Sequence, residues 1–193
     1  SLAVRPELAR RLAKKDWERA RRVAEIVQRV RPDILLINEF DHDPDGGAAR
    51  LFRQNYLNQP QNGQEPIDYP YQVYPEVNTG VASGFDLNND GRAVEEPGTR
   101  AFGNDAFGYG TFRGQYGMVL YSKFPVDEDA IRTFRKMTWS TMPESRMPTS
   151  FYTDEEVKAV RLSSKTHLDA PVNVGGRTLH MLASHPTPPG FDG

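Results

Sequence analysis

Two residues stand where an apolar strand would end at a ligand site. Glu39 follows the aliphatic run 34–37 and Asn38, and His185 follows the apolar stretch 179–183. A carboxylate at a strand end can hold Mg²⁺ or another hard divalent cation, which keeps several waters for substrate phosphates. A histidine nearby can donate a hydrogen bond to a phosphoryl oxygen or transfer a proton near neutral pH. Together the two residues indicate phosphate chemistry, although each alone is also compatible with a structural role.

Two Asp-rich runs have the spacing with which calcium loops begin. They occupy 41–46 and 86–91, and each places alternating oxygen ligands ahead of a glycine. Neither has the closing glutamate at the twelfth position, so neither is a complete helix-loop-helix site. The acids of the first run could instead surround Glu39. The second run is either a set of Asx turns or a Ca²⁺ site formed by Asp86, Asn88 and Asp90.

The elements that must position Glu39 follow from the spacing of apolar residues. From Glu7 to Val30 this spacing is helical, which predicts one amphipathic helix that Pro32 ends. The run 33–39 then predicts a short strand covered on both faces. Ligands bind beyond the carboxyl ends of such strands in a layered α/β sheet, so Glu39 is expected at a crevice. The core stripe of the helix is expected to comprise Ala20, Val23, Ala24, Val27 and Val30.

The middle of the chain is less regular. Residues 50–56 predict a further helix, and 57–113 form a long irregular stretch. Its interspersed aromatic residues predict ordered loops folded over the core, because disordered segments are poor in aromatics. A second buried strand is predicted at 117–121 and a short helix at 127–137.

The last third of the chain predicts the element that carries His185. Thr153 and Glu156 match a capping box, which predicts a helix over 154–159. Residues 161–174 predict a strand that turns at Gly175 and Gly176 into a partner strand over 177–184.

Composition excludes several classes of protein. The chain has 193 residues and no cysteine, with 24 basic and 26 acidic side chains for a net charge of −2. The absence of cysteine excludes a disulfide scaffold, a cysteine zinc site, an iron–sulfur cluster and a cysteine nucleophile. No apolar run is long enough to cross a membrane. We expect a single domain, 1–193, that is monomeric and has no integral membrane association.

Charge is unevenly distributed along the chain. Residues 1–31 carry ten basic and four acidic side chains, and the remaining 14 basic and 22 acidic side chains give −8. The basic segment is either the solvated face of the first helix or a contact for nucleic acid. The negative remainder does not favour a nucleic-acid substrate.

Three segments of the chain resemble one known family. RPDILLINEFD (31–41), GQYGMVLYSKFPV (114–126) and RTLHMLASHPTPP (177–189) are similar in order and separation to the endonuclease/exonuclease/phosphatase superfamily, which includes deoxyribonuclease, sphingomyelinase and inositol-phosphate phosphatases. The loops over 60–92 resemble those of bacterial, often exported members. The resemblance implies a layered α/β sandwich of mixed sheets with outer helices, and Mg²⁺- or Mn²⁺-dependent hydrolysis of a phosphoester.

The resemblance also assigns roles to individual residues. Glu39 matches the metal-binding glutamate, and Asn38 stands where the family usually has glutamine, as a substrate-side residue. His185 matches a histidine that contacts a phosphate oxygen. Tyr116 and Arg161 match positions near the substrate. The substrate is then a phosphoester of a small molecule, a lipid headgroup or a nucleic acid.

Other family motifs are missing from this sequence. Relatives begin with a strand that ends in a metal-linked asparagine, and they carry a later Gly-Asp-x-Asn strand and a Ser-Asp-His segment with the general base. We therefore expect an N-terminal portion, incomplete at both ends and inactive alone. Two alternatives are a noncatalytic, calcium-stabilised exported module and a nucleic-acid-binding fragment that uses the basic first helix.

Overall fold

The computed structural model describes residues 7–187 as helices packed on two small sheets. The helices are α1 (Glu7–Leu12), α2 (Glu18–Val30), α3 (Gly47–Phe52), α4 (Arg100–Asp105) and α5 (Asp154–Ala159). The strands are β1 (Ile34–Asn38), β2 (Tyr71–Val73), β3 (Met118–Ser122), β4 (Arg132–Thr133), β5 (His167–Val174) and β6 (Arg177–Ser184). A π-helical turn, Arg53–Leu57, continues α3, and 3₁₀ turns lie at Glu128–Ala130 and Trp139–Thr141.

The strands form two three-stranded sheets, ordered β1-β3-β2 and β4-β5-β6, in which the neighbouring strands are antiparallel. In the first sheet Asn38 at the end of β1 pairs with Met118 at the start of β3. In the second, Ser184 at the end of β6 pairs with His167 at the start of β5. Each sheet therefore has one end at which a strand finishes and its neighbour begins.

The first sheet separates two apolar cores. The side chains facing the core shared with α1, α2 and α3 are Leu35, Ile37, Val119 and Tyr121. The side chains facing the second sheet are Ile34, Leu36, Met118 and Leu120. Because successive side chains of a strand point to opposite faces, an uninterrupted apolar run is needed to fill both cores. The layers are helices, first sheet and second sheet, so the expected α/β sandwich is confirmed.

The single N-terminal helix expected over 7–30 is wrong. The segment 13–17 separates α1 from α2, and Lys15 within it has a left-handed backbone with φ of 62°. The amide of Trp17 donates to the Tyr56 hydroxyl over 3.3 Å. The chain therefore turns here so that both helices can pack on the same core.

The expected core stripe of α2 is only partly right. Ala20, Ala24 and Val27 are buried, whereas Val23 and Val30 are 39% and 70% exposed. The polar Gln28 is buried instead. Its amide donates to backbone carbonyls that include Leu57 at 3.0 Å and Gln59 at 2.7 Å, and its carbonyl accepts from the Gln61 amide. These bonds fix which face of the helix turns inward.

The helix expected over 127–137 is also wrong. A 3₁₀ turn there is followed by β4, where Arg132 pairs with Asp169 of β5 both in backbone register and through its side chain at 2.7 Å. The strand expected from 161 begins only at 167, because the preceding residues bond to a loop instead, as in the 2.9 Å bond from the Asn78 amide to the Lys165 carbonyl.

Other expectations are confirmed. Thr153 and Glu156 form the reciprocal capping box of α5, and Gly175 and Gly176 connect β5 to β6. The irregular stretch is packed on the core, with Tyr69, Val77 and Phe102 buried. Among residues 7–187, no helix has the length and apolar composition that crossing a membrane requires.

Candidate active site at the ends of the two sheets

Glu39 and His185 lie opposite each other across the ends of the two sheets. Glu39 is the first residue after β1, and His185 is the first after β6. The Glu39 Oε1 and His185 Nε2 atoms are 3.9 Å apart. The two residues singled out from the sequence are thus brought together by the packing of one sheet on the other.

A tight turn presents the Glu39 carboxylate to solvent. Glu39 has φ of 58°, in the left-handed region that costs a non-glycine residue about 1–2 kcal/mol. The turn is held by backbone bonds from the Phe40 amide to the Gly117 carbonyl at 3.0 Å and from the His42 amide to the Gly114 carbonyl at 2.7 Å. The Glu39 side chain is 68% exposed. Strain of this kind is tolerated where surrounding contacts impose it, and it is frequent at functional sites.

Two glycines permit the close approach of this turn to the loop before β3. A Cβ atom on Gly114 would lie 2.4 Å from the His42 carbonyl oxygen, and one on Gly117 would lie 2.7 Å from the Phe40 carbonyl oxygen. Both separations are far below van der Waals contact. The glycines of the sequence GQYG are therefore required by the packing that positions Glu39.

Asp41 lies beside Glu39 and is half-buried. Its Oδ1 atom accepts a hydrogen bond from the Tyr116 amide at 2.9 Å. Burial raises the pKa of the Asp41 carboxyl, the Tyr116 bond opposes this, and the charge of Glu39 raises it further. Tyr116, expected near the substrate, thus adjoins the acidic turn through its backbone.

His185 is held in an environment that favours its neutral form. Its side chain is 21% exposed. Burial lowers the pKa of the imidazole, the Lys165 cation lowers it further, and Glu39 acts in the opposite direction. The Nδ1 atom is buried and has no hydrogen-bond partner among the residues that the structure describes. A neutral imidazole keeps one N–H donor and one acceptor for a ligand.

Arg161 is fixed by a loop rather than by Glu39 or His185. Its guanidinium lies 3.9 Å from the centre of the Phe107 ring and donates to the Asn78 side-chain oxygen at 2.5 Å. Burial lowers the pKa of Arg161, and the nearby Arg135 cation adds to this. Asn78, fully buried, did not emerge from the sequence, because an isolated asparagine in an irregular stretch gives no periodic signal.

Asn38 occupies the last position of β1 and is exposed. Because its side chain is not needed to fill the core, Asn38 is free to contact a substrate, as the family resemblance implies. Of the five expected site residues, the structure therefore juxtaposes Glu39 and His185 and sets Tyr116 beside their turn, whereas Arg161 contacts Asn78 and Phe107.

The acidic turn at Glu39 and Asp41 suits a hydrated hard cation. Mg²⁺ is commonly held by one or two carboxylates together with waters and substrate phosphates. Glu39 offers an exposed carboxylate, and Asp41 supplies a second carboxylate nearby. Within residues 7–187, no three His, Asp or Glu side chains are grouped so that they could share one ion. The donor set fits a cation that is bound partly by protein and partly by substrate.

The Asp-rich loops use their carboxylates in hydrogen bonds to the backbone. Asp86 accepts from the Asp90 amide at 3.0 Å and from the Gly91 amide at 2.8 Å. Asn88 donates to the Asp90 carboxylate at 3.3 Å. These contacts form the Asx turns weighed above, and calcium binding there stays a prediction. In the first run, Asp43 accepts from two amides at the start of α3, Gly47 and Ala48.

Comparison with known families gives one match. The model of the Endonuclease/Exonuclease/phosphatase family matches residues 14–189, a span that includes both Glu39 and His185. Searches among curated proteins and among solved structures gave no match.

Proposed function

Because the chain belongs to the Endonuclease/Exonuclease/phosphatase family, whose members hydrolyse phosphoesters, we propose that it carries the metal-binding and phosphate-binding part of a metal-dependent phosphoesterase site. The observation that carries the proposal is the 3.9 Å separation of Glu39 and His185 at the meeting point of two sheets. A carboxylate and an imidazole at this distance can contact a cation and a phosphoryl oxygen that adjoin each other.

Each residue has a distinct role in this proposal. Glu39 holds Mg²⁺ or Mn²⁺, which when bound would neutralise charge that develops on the phosphoryl oxygens. His185 donates a hydrogen bond to one of those oxygens, for which its neutral form with the proton on Nε2 suffices. Asn38, Tyr116 and Arg161 line the substrate side. The family resemblance assigns the general base to a Ser-Asp-His segment, so this chain alone is expected to hydrolyse slowly or not at all.

Charge favours a small substrate over a long polyanion. Outside the first 31 residues the net charge is −8, which would repel a nucleic-acid backbone. A phospholipid headgroup, an inositol phosphate or a nucleotide carries few charges and can be accommodated locally by His185 and Arg161.

The test uses Mn²⁺, whose paramagnetism broadens NMR signals of nearby nuclei. In the wild-type protein, Mn²⁺ is expected to broaden the ring signals of His185, because Glu39 lies 3.9 Å away. The Glu39→Gln variant keeps the size of the side chain and loses its charge, so it should abolish this broadening. Glu65→Gln, at an exposed loop position, is the matched control.

Activity provides a second measurement, made on a natural form of the protein that carries the Ser-Asp-His segment of the family. With Mg²⁺ or Mn²⁺, hydrolysis of a generic aryl phosphodiester should fall at least about a hundredfold in Glu39→Gln, as expected when a metal's charge stabilisation is lost. Undiminished Mn²⁺ broadening at His185 in that variant would contradict the proposal. If Ca²⁺ raised the melting temperature equally in wild type and Glu39→Gln, the result would instead favour the noncatalytic, calcium-stabilised module.

A further inference from the structure

Tyr74 lies at the same end of the first sheet as Glu39. It is the first residue after β2, as Glu39 is the first residue after β1. Both strands are antiparallel to β3, which lies between them, so β1 and β2 finish at the same edge of the sheet. Leu120 of β3 pairs with Leu36 on one side and with Val73 on the other. This register places Tyr74 next to the turn 39–43 that carries Glu39.

The Tyr74 hydroxyl holds one edge of the turn 39–43. It accepts a hydrogen bond from the Asp43 amide at 3.1 Å and donates one to the Asp41 carbonyl. The opposite edge of the turn is held by the amides of Phe40 and His42, which donate to the loop before β3. Because a phenolic oxygen can both donate and accept, one side chain pairs with two backbone groups that a neighbouring strand would otherwise have to satisfy.

The ring of Tyr74 packs against the same turn. The centre of the ring lies 5.8 Å from that of Phe40, in an edge-to-face arrangement, and 4.7 Å from that of His42. Phe40 is buried, and Tyr74 packs against the core shared with α1, α2 and α3. The hydroxyl is therefore carried by a side chain whose position is fixed by packing, as a well-directed hydrogen bond requires.

Asp43 connects the turn to α3. Its carboxylate accepts from the Gly47 amide at 2.8 Å and from the Ala48 amide at 3.1 Å. Asp43 is 5% exposed, and a Cβ atom added to Gly47 would lie 3.0 Å from its Oδ2 atom. The Tyr74 hydroxyl thus links Asp41 to a residue that is itself buried and closely packed.

Glu39 requires support from its neighbours because its own conformation is unfavourable. Its φ of 58° lies in the left-handed region, and its side chain is 68% exposed. A residue in this region keeps its conformation only where surrounding contacts impose it. Asp41, two residues later, is held at its carbonyl by the Tyr74 hydroxyl and at its carboxylate by the Tyr116 amide. Two tyrosines therefore fix the segment that follows Glu39.

We propose that Tyr74 is a positioning residue for the metal-binding turn, and that its hydroxyl fixes the backbone of the turn so that the Glu39 carboxylate stays opposite His185. Tyr74 does not itself contact the cation. The inference deepens the proposed function and rests on it for the role of Glu39. Positioning of this kind raises the apparent affinity, because only the molecules that hold the binding conformation can bind the ion.

The test measures Mn²⁺ binding to the folded protein by electron paramagnetic resonance, together with Mn²⁺ broadening of the His185 ring signals. Tyr74→Phe removes the hydroxyl and keeps the ring. It should weaken Mn²⁺ binding about tenfold, the decrease expected when only about a tenth of the molecules hold the binding conformation. Broadening at a fixed Mn²⁺ concentration should decrease with it. Affinity and broadening equal to those of the wild type would overturn the inference.

Tyr69→Phe is the matched control. Tyr69 packs in the same core, and its hydroxyl donates to the Pro32 carbonyl at 2.8 Å, beyond the end of β1 opposite Glu39. Loss of this bond should lower the stability of the protein and leave its Mn²⁺ affinity unchanged, as expected for a tyrosine whose role is only structural. An equal loss of Mn²⁺ affinity in both variants would overturn the inference.

A measurement on the unaltered protein covers the case in which Tyr74→Phe does not fold. Coupling between two sites is reciprocal, so an ion at Glu39 should strengthen the bonds made by Tyr74. Mg²⁺ should therefore slow hydrogen exchange of the Asp43 amide. The Lys123 amide, which donates to the Asp33 carbonyl at the other end of the first sheet, should exchange at an unchanged rate. Exchange at Asp43 that does not respond to Mg²⁺ would overturn the inference.

These outcomes separate the inference from the proposed function. A wild-type protein that binds no Mn²⁺ near His185 would overturn both. If Glu39→Gln abolished the broadening while Tyr74→Phe retained it in full, the proposed function would stand and the role of Tyr74 alone would be overturned.

Discussion

At the scale of single residues, the site is built from backbone conformations that side chains rarely adopt. Glu39 and Tyr116 both have positive φ, and they lie on two segments that hydrogen-bond to each other. The geometry is imposed by neighbouring contacts, since Gly114 and Gly117 leave no space for a side chain. The protein thus accepts a local cost in stability to project one carboxylate.

That cost can be measured at position 39. Glu39→Gly should give a more stable protein than Glu39→Ala by about 1 kcal/mol, because glycine adopts φ of 58° without the steric penalty that alanine retains. Urea denaturation of the two variants measures the difference. Both lack the carboxylate, so both should fail to place Mn²⁺ near His185.

Equal stability of the Gly and Ala variants would show that the left-handed conformation carries no penalty at this turn. The same pair at Ile26, an exposed position inside α2, is the control, where glycine should instead be less stable than alanine by about 1 kcal/mol.

At the scale of secondary-structure elements, short helices depend on their caps. In α5, six residues long, the Thr153 hydroxyl accepts from the Glu156 amide and the Glu156 carboxylate accepts from the Thr153 amide. The helix leads directly into Arg161, and the Trp139 amide donates to the Val160 carbonyl at its end. The cap therefore stabilises the chain just before Arg161.

Removing the cap should destabilise the protein locally. Thr153→Ala loses the acceptor for the Glu156 amide and should lower the free energy of unfolding by about 1 kcal/mol. Thr149→Ala, at an exposed turn position, should change it by less than about 0.5 kcal/mol. Chemical denaturation measures both, and equal effects would mean that the cap contributes nothing specific.

At the scale of the whole molecule, the second sheet carries a cluster of ionisable side chains around Asp169. Asp169 of β5 is 2% exposed and lies 2.7 Å from the Arg132 guanidinium and 2.8 Å from His180 Nδ1. Arg132, and after it His180, lower the pKa of the Asp169 carboxyl. The cluster joins all three strands of the sheet, since its members lie on β4, β5 and β6.

The lowered pKa predicts how stability depends on pH. The folded protein holds the Asp169 proton more weakly than the unfolded chain, whose aspartates titrate near about pH 3.9. The contribution of the carboxylate is therefore present above about pH 4 and is lost as the pH falls through the folded pKa. Asp169→Asn should lower the melting temperature near neutral pH, and the difference from wild type should shrink below about pH 4.

Melting curves between neutral and acidic pH test this, with Asp129→Asn as the control at an exposed turn position. The melting temperatures of wild type and Asp169→Asn could instead differ by the same amount at every pH. That result would show that Arg132 and His180 do not stabilise the ionised form of Asp169.

The sequence by itself determined the strands that end just before Glu39 and His185, although it did not predict β2 or β4. The apolar run before Glu39 fills the cores on both faces of its sheet, whereas in the stretch before His185 only Met181 and Ala183 reach a core and Leu179 and Leu182 are exposed. The capping box and the Gly-Gly turn are local signals that depend on a few neighbouring residues. These features depend on neighbours within a few residues along the chain, so spacing alone reveals them.

Only the tertiary structure decided how these pieces meet. Three contacts join segments that are far apart in sequence. Glu39 approaches His185, Gln28 is buried where Val23 was expected, and Asn78 hydrogen-bonds to the Arg161 side chain and to the Lys165 backbone. Such contacts depend on the free energy of packing one layer on another. The spacing of apolar residues along the chain carries no information about that packing. The sequence therefore predicted the two residues of the candidate site, and the packing of the sheets brought their side chains within 3.9 Å of each other.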